Sequence, residues 1–349
     1  MRSFTIKEQK HLPRIFSGMR PTGKLHLGHL VGALENWTRF QSEYETIYGI
    51  VDWHSLTTGY KDTSRLKEYI LEAVIDWISV GIDPNKSIIM LQSLVKEHAE
   101  LHLLFSMITP TPWLIRNPAV KQQAREMGLI ENASDDEMTK IDFGHLGYPV
   151  LQTADILVYQ ADTVPVGEDQ IPHIELCREI ARRFNFLFSE SGFQFPEPQH
   201  KLTVTPRLPG VDGSMKMSKS LNNCIYLSDD DATVQSQVRK MVTDPNKVRK
   251  NDPGRPEICS VFTYHTVFNK SEVDEIGKNC RSGELGCVAC KRNLGEKITT
   301  RIDPFRQKRK ELADNLDVVE KIIKDGSDKA RAIASDTLKQ VRRSMNLME

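Results

Sequence analysis

Short apolar runs alternate with helical stretches through the first hundred residues. Arg14–Ser17 reads as a strand running into the turn 18–23. Thr46–Val51 is almost continuously apolar, as a strand covered on both faces of a parallel sheet requires, and Ser87–Leu91 repeats the pattern. Helices are expected from His26 onward, over Ser64–Val80, and from about His98 to Met107. This order argues for a Rossmann-like parallel α/β sheet. Thr109-Pro110-Thr111-Pro112-Trp113 should break the helix before it, and 132–137 reads as a polar loop. Apolar residues at 150, 151, 154, 157 and 158 form a helical stripe. Another helix is expected at Ile174–Phe184, and from about Asp229 the pattern is helical. The expected organisation is a Rossmann-like domain over 1–222, with a helical insertion at about 90–145, and an α-helical C-terminal domain over 223–349.

Composition excludes several classes. A chain of 349 residues suggests two domains, or three small ones. With 39% hydrophobic and 27% charged residues it can bury a core, and it is neither collagenous nor disordered. No apolar run reaches the roughly 18–20 residues of a membrane span. Met1–Lys10 is polar and charged, without a secretory pattern, so a cytoplasmic, reducing compartment is expected. Forty-seven basic residues balance 47 acidic ones, so net charge does not mark a nucleic-acid binder. Two windows depart from this balance: 291–310 is net +6 and 239–255 is net +4. Such runs are ordinarily solvated faces, and become RNA-contact candidates only if other features point there.

Two motifs carry chemistry. His26-Leu27-Gly28-His29 opens a helix directly after a glycine-rich turn. Free N–H groups and the positive dipole end attract phosphate there, Gly28 allows close approach, and both imidazoles can donate to phosphate oxygens. Taken alone, these histidines could equally be surface residues or part of a metal site. Lys216-Met217-Ser218-Lys219-Ser220 follows the glycine-containing segment 209–213 in a loop of about 209–222. Two lysines three apart on a loop can grip a departing pyrophosphate, where charge develops in a transition state. The bland alternative is an exposed basic loop, and the motif upstream argues against it.

Six cysteines are present, and Cys259, Cys280, Cys287 and Cys290 fall within 32 residues. Four local thiolates can hold one zinc ion or one iron–sulfur cluster. A zinc ribbon usually shows two Cys-x-x-Cys knuckles and only one is present, which favours iron–sulfur. Chance clustering of reduced thiols is the alternative. Cys177 and Cys224 read as buried structural residues.

The two motifs together resemble the signatures of class I aminoacyl-tRNA synthetases. Segments 16–23, 148–157, 166–176 and Ala330-Arg331-Ala332 are similar to stretches of bacterial tryptophanyl-tRNA synthetases. The resemblance implies ATP-dependent activation of L-tryptophan to the adenylate, assisted by Mg²⁺, then transfer to the 3′ end of tRNA(Trp). It implies ATP contacts from Arg20, Pro21, Thr22, Gly28, His29, Gly167, Glu168 and Asp169, and from Lys216, Met217, Ser218, Lys219 and Ser220. His26, His29, Lys216 and Lys219 would carry the catalysis. Arg20 stands where many relatives have Gln. Asp155 would accept the indole N–H, which suits a donor-only ring, and Tyr148 and Gln170 would hold the ammonium group. On one helix Tyr148 and Asp155 would lie about 20° apart.

A subset of this family carries a four-iron four-sulfur cluster, and Cys280, Cys287 and Cys290 match the tail of its ligand pattern, with Cys259 upstream. The resemblance further implies a homodimer formed through the inserted segment. A tyrosyl-tRNA synthetase would share both motifs. A non-catalytic RNA-binding iron–sulfur protein on a synthetase scaffold would have no need of a pyrophosphate clamp.

Overall fold

The structure is a computed structural model, and it describes residues 12–132, 134–202, 208–215 and 217–348. Five parallel strands form one sheet in the order β3-β2-β1-β4-β5. They are β1 (Arg14–Met19), β2 (Glu45–Ile50), β3 (Ser87–Leu91), β4 (Thr163–Val166) and β5 (Gln199–Leu202). β2 is buried from Thr46 to Ile50, and Ile15 and Phe16 of β1 are buried too. The near-continuous apolar runs are therefore explained by helices on both faces. β4 and β5 escape the sequence reading for physical reasons. β4 is four residues long with Pro165 inside it, and β5 is polar and largely solvent-facing.

This strand order has its switch point between β1 and β4, where ligands of open α/β sheets bind at the carboxyl ends. β1 and β4 pair at a single position, Ile15 with Thr163, so no ladder closes the space beyond it. After β1 the chain turns through Gly23, at φ +101°, a left-handed conformation that glycine tolerates. It then runs as one continuous helical segment, an α-turn at Leu27–His29, a π-helical turn at Leu30–Leu34 and a helix at Glu35–Phe40.

The helices used below are α1 (Asp52–Gly59), α2 (Leu66–Ser79), α3 (Glu97–Ile108), α4 (Phe143–Leu157) and α5 (Ile171–Leu187). They are followed by α6 (Ser260–Phe268), α7 (Val273–Ser282), α8 (Cys287–Ala313) and α9 (Leu316–Ser344). α3 ends at Ile108, just before the Thr-Pro pair, as expected. Part of the presumed loop at 132–137 instead starts a short helix, Asp135–Met138. Ser134 caps it by accepting from the Glu137 N–H. No helix among the described residues is long and apolar enough to cross a membrane.

The C-terminal helices pack directly on the sheet layer. One apolar cluster joins Leu25, Trp77 and Ile89 to Leu294, Ile302, Val319 and Ile323. Arg309 of α8 reaches α2, where its Nε donates to Asp76 Oδ1 at 2.8 Å and a second nitrogen pairs with Glu72. α9 lies against β3, the edge strand. The Leu91 N–H donates to Ser327 Oγ at 3.0 Å, and a Cβ on Gly326 would overlap the Ile89 carbonyl oxygen. Glycine-to-alanine inside a helix ordinarily stabilises by about 1 kcal/mol. Here the sign reverses, because backbone meets backbone. Gly326→Ala is expected to destabilise by about 3 kcal/mol, the upper range for overpacking, read as a lower urea midpoint at unchanged slope.

Candidate active site

His26 caps the helix start. Its Nδ1 accepts from the Gly28 N–H at 3.1 Å, and His29 Nδ1 accepts from the His26 N–H at 3.2 Å. With both Nδ1 atoms accepting, the neutral rings carry their protons on Nε2 and present them as donors. Burial, with the Lys219 charge second, pulls His26 down to about 4. His29 is pulled well below its ordinary value by burial, then by His26 and Lys219. Both are therefore neutral donors near pH 7. The rings lie 3.8 Å apart, and a Cβ on Gly28 would come within 2.9 Å of the His26 ring. Only glycine leaves room for that ring.

The second motif closes over the first. Lys219 Nζ donates to the Gly23 carbonyl at 2.9 Å and to Thr22 Oγ1 at 3.2 Å. Burial lowers Lys219 to about 8. Met217 is buried in the core and would lie 3.8 Å from a Cβ on Gly28. The Ser218 N–H donates to Asn223 Oδ1 at 2.7 Å, so a buried asparagine shapes the loop. Lys216 and the Ser220 side chain lie outside the described residues.

From Lys219 the site continues residue by residue. Next to Thr22, Pro21 is buried and Arg20 donates weakly to Thr58 Oγ1 of α1 at 3.4 Å. Arg20 is also within electrostatic reach of Tyr148 on α4. The Tyr148 hydroxyl is 2.9 Å from His173 Nε2, and its ring packs edge-on to His54 at 6.4 Å between centroids. Burial lowers His173 to about 4, so it is neutral, and its Nε2 and the Tyr148 hydroxyl share one hydrogen bond. His54 Nε2 donates to Asp155 Oδ2 at 2.8 Å. One end of the site is therefore cationic and the other ends in a carboxylate.

Asp155 is 1% exposed. Its Oδ1 accepts from Gln92 Nε2 at 2.7 Å and His98 Nδ1 at 2.6 Å. Burial alone would raise its pKa, but the His54 and His98 donors outweigh it and hold it at about 2. Gly167 follows β4, and a Cβ there would meet Asp169 Oδ1 at 2.7 Å. Glu168–Gln170 form a single tight turn leading into α5, and Gln170 Nε2 donates to Asp169 Oδ2 at 2.9 Å.

The sequence reading missed His54, Gln92, His98 and His173. Asp155 itself was the available signal. A carboxylate inside an apolar stripe needs donors, but those donors come from α1, α3 and the β3 end, which no local pattern links to it.

The four cysteines converge. Cys259 precedes α6, Cys280 ends α7, and Cys287 and Cys290 open α8. All four line one cavity with Thr243, Lys247, Val261, Phe262, Ile276 and Leu285. Burial, then Cys259, Cys280 and Cys287, push the Cys290 thiol up to about 12. A Cβ on Gly254 would come within 2.6 Å of Cys280 Sγ. Among the described residues no group of three or more His, Cys, Asp or Glu side chains is arranged around a single metal ion.

Comparison with known proteins places the whole chain in one family. The family described as "tRNA synthetases class I (W and Y)" matches residues 7–303. The tryptophan–tRNA ligase of Aquifex aeolicus is 46% identical over 397 aligned positions, covering 96% of this chain and 100% of its own. That of Thermotoga maritima is 48% identical over 338, covering 96% and 99%. The crystal structure of Campylobacter jejuni tryptophanyl-tRNA synthetase complexed with ADP and tryptophan superposes with a TM-score of 0.83. It is 32% identical, covering 96% of this chain and 100% of its own. The chain therefore belongs to the bacterial-type tryptophanyl-tRNA synthetases of class I, the tryptophan–tRNA ligases.

Proposed function

We propose a specific division of labour among the site residues. ATP lies over the helix start at Leu27, with Gly28, His29 and the turn Arg20-Pro21-Thr22 at its phosphates, and Gly167, Glu168 and Asp169 at its ribose. Mg²⁺, bound with the nucleotide, would supply neutralising charge at the phosphates. Tyr148 and Gln170 hold the tryptophan ammonium, and Asp155 accepts the indole N–H. The carboxylate attacks the α-phosphate, while His26, His29, Lys216 and Lys219 take up the charge that develops on pyrophosphate, with Met217, Ser218 and Ser220 shaping the loop. Acceleration comes from positioning and charge stabilisation, with no covalent intermediate on the protein. What carries this reading is Asp155, a fully buried carboxylate held ionised by three donors at the end of the site away from Lys219. Tryptophan-dependent ATP–pyrophosphate exchange, with tyrosine as control, tests it. Equal exchange with both amino acids would overturn the assignment of Asp155.

The finer assignments belong to the same reading. The chain acts in the cytoplasm, with a catalytic domain over 1–222 and a tRNA-binding helical domain over 223–349. It works as a homodimer through the segment after about residue 90, where Leu103 and Met107, one turn apart on α3, are 54% and 69% exposed.

Cys259, Cys280, Cys287 and Cys290 hold a four-iron four-sulfur cluster. Four thiols line one cavity, as a cluster bound by four cysteines requires, and the single Cys-x-x-Cys knuckle favours it over Zn²⁺. Gly254 is the residue that leaves Cys280 room to turn inward. When bound, the group supplies four metal–thiolate bonds that tie α6, α7 and α8 together. Anaerobically purified protein is expected to carry about four iron atoms per chain with absorbance near 400 nm, and Cys287→Ser to lose both. One zinc per chain and no iron would replace the cluster with the zinc reading.

A further inference from the structure

The donors behind Asp155 form a chain that the reaction above does not use. Oδ1 already accepts two hydrogen bonds, from Gln92 and His98, while Oδ2 accepts one, from His54. Each carboxylate oxygen has two in-plane lone pairs, so Oδ1 is filled and the acceptor position left is on Oδ2. His98 is wholly buried, and its Nε2 is 2.6 Å from the Tyr159 hydroxyl. With Nδ1 donating to the carboxylate, the other ring nitrogen, Nε2, is held by the Tyr159 hydroxyl. Tyr159 is itself buried and stacks on Phe16 of β1, with centroids 5.5 Å apart and planes 21° apart.

The turn that carries His98 is clamped on both sides. Glu97 accepts from Ser335 Oγ at 2.6 Å, and Glu100 accepts from Arg342 Nε and Nη2 at 2.6 and 2.8 Å. Both partners lie on α9. His98 is therefore fixed at both ring nitrogens and through its backbone, far more firmly than packing alone requires.

We infer that His98, oriented by Tyr159, is a positioning residue that turns the open lone pair of Asp155 Oδ2 toward the substrate ring, and so sets the preference for a ring bearing an N–H. The inference rests on the assignment of Asp155 as the indole acceptor. A rotated carboxylate would still be buried and still charged, but it would accept poorly from the substrate. The selectivity of such a site comes from leaving its buried acceptor unpaired when the donor is missing.

The probe pair is L-tryptophan and L-3-benzothienylalanine, which replaces the indole N–H by sulfur in a ring of nearly the same shape. Both are assayed by ATP–pyrophosphate exchange. Wild-type protein should favour tryptophan by roughly 10⁴-fold in kcat/KM. In His98→Leu this ratio should fall about 100-fold, because KM for tryptophan rises while KM for the sulfur analogue moves less than about threefold. KM for ATP should not change. In His98→Asn the amide nitrogen takes the place of ring Nδ1, and the ratio should return to within about tenfold of wild type. Tyr159→Phe removes one hydroxyl and decides the matter if His98→Leu does not fold; its ratio should fall at least about fivefold.

A ratio unchanged in these variants, or two amino acids that weaken in parallel, would overturn the role of His98. If wild-type protein itself uses both amino acids equally, and Asp155→Asn changes nothing, the assignment of Asp155 has failed first.

Discussion

Replacing Asp155 by alanine is expected to lower kcat/KM for tryptophan by about 10⁴-fold while KM for ATP stays within about threefold. The loss has two parts. The indole N–H, donor-only and buried, loses its acceptor. His54, Gln92 and His98 lose theirs as well, because all three converge on this carboxylate. Asp155→Asn separates the two. It keeps the shape and one acceptor oxygen, but its amide nitrogen faces donors, so at least one donor–donor conflict is built in. Its loss should be nearly as large as that of alanine. Steady-state pyrophosphate exchange at varied tryptophan measures both. A change below about tenfold in Asp155→Ala would mean that the indole ring is recognised elsewhere.

Lys219→Ala should lower kcat for adenylate formation by about 10³-fold, with KM for tryptophan within about threefold. The nearby histidines are neutral, so Lys219 is the charge that the described part of the loop supplies at this end. The same feature sets a pH dependence. Burial brings the Lys219 pKa down to about 8, so its protonated fraction falls as pH rises through that value. The free protein's kcat/KM for ATP should therefore decline above about pH 8, by a factor approaching ten per unit. His26 titrates at about 4 and His29 also lies well below its ordinary value, so neither adds an acid limb between pH 6 and 8. Lys219→Arg, charged across this range, should remove the alkaline limb even if its rate is lower. An alkaline limb that persists in Lys219→Arg would assign it to another group.

Local pattern reaches the parts of the fold that local physics determines. β1, β2 and β3 are legible because a strand covered on both faces must be continuously apolar. The helix start at the His-x-Gly-His turn is legible because a glycine-rich turn runs into it, and its reading as a phosphate site needed the lysine motif as well. β4 and β5 are not, since one holds a proline and the other faces water. Asp155 could be placed on a helix, and the pocket role proposed for it came from resemblance. Its three donors could not be found, because they lie 57 to 101 residues away in sequence. The cysteine spacing suggested a shared site, and the common cavity required the turns before α6 and α8 to meet the end of α7. Nothing local in α9 announces the edge strand it covers. Gly326 looks like a weak helix residue until the Ile89 carbonyl is seen against it.

The cover that α9 gives to β3 has a consequence for synthesis. The Leu91 N–H and the Ser327 hydroxyl that satisfies it are 236 residues apart. At roughly 5–20 residues per second, a nascent chain would carry that sheet edge for about 10–50 seconds before its cover emerges. An unpaired edge is a template for pairing with another chain. The early part of this chain is thus aggregation-prone while it is being made. A fragment ending before Leu316 would lack both that cover and the clamp on the His98 turn.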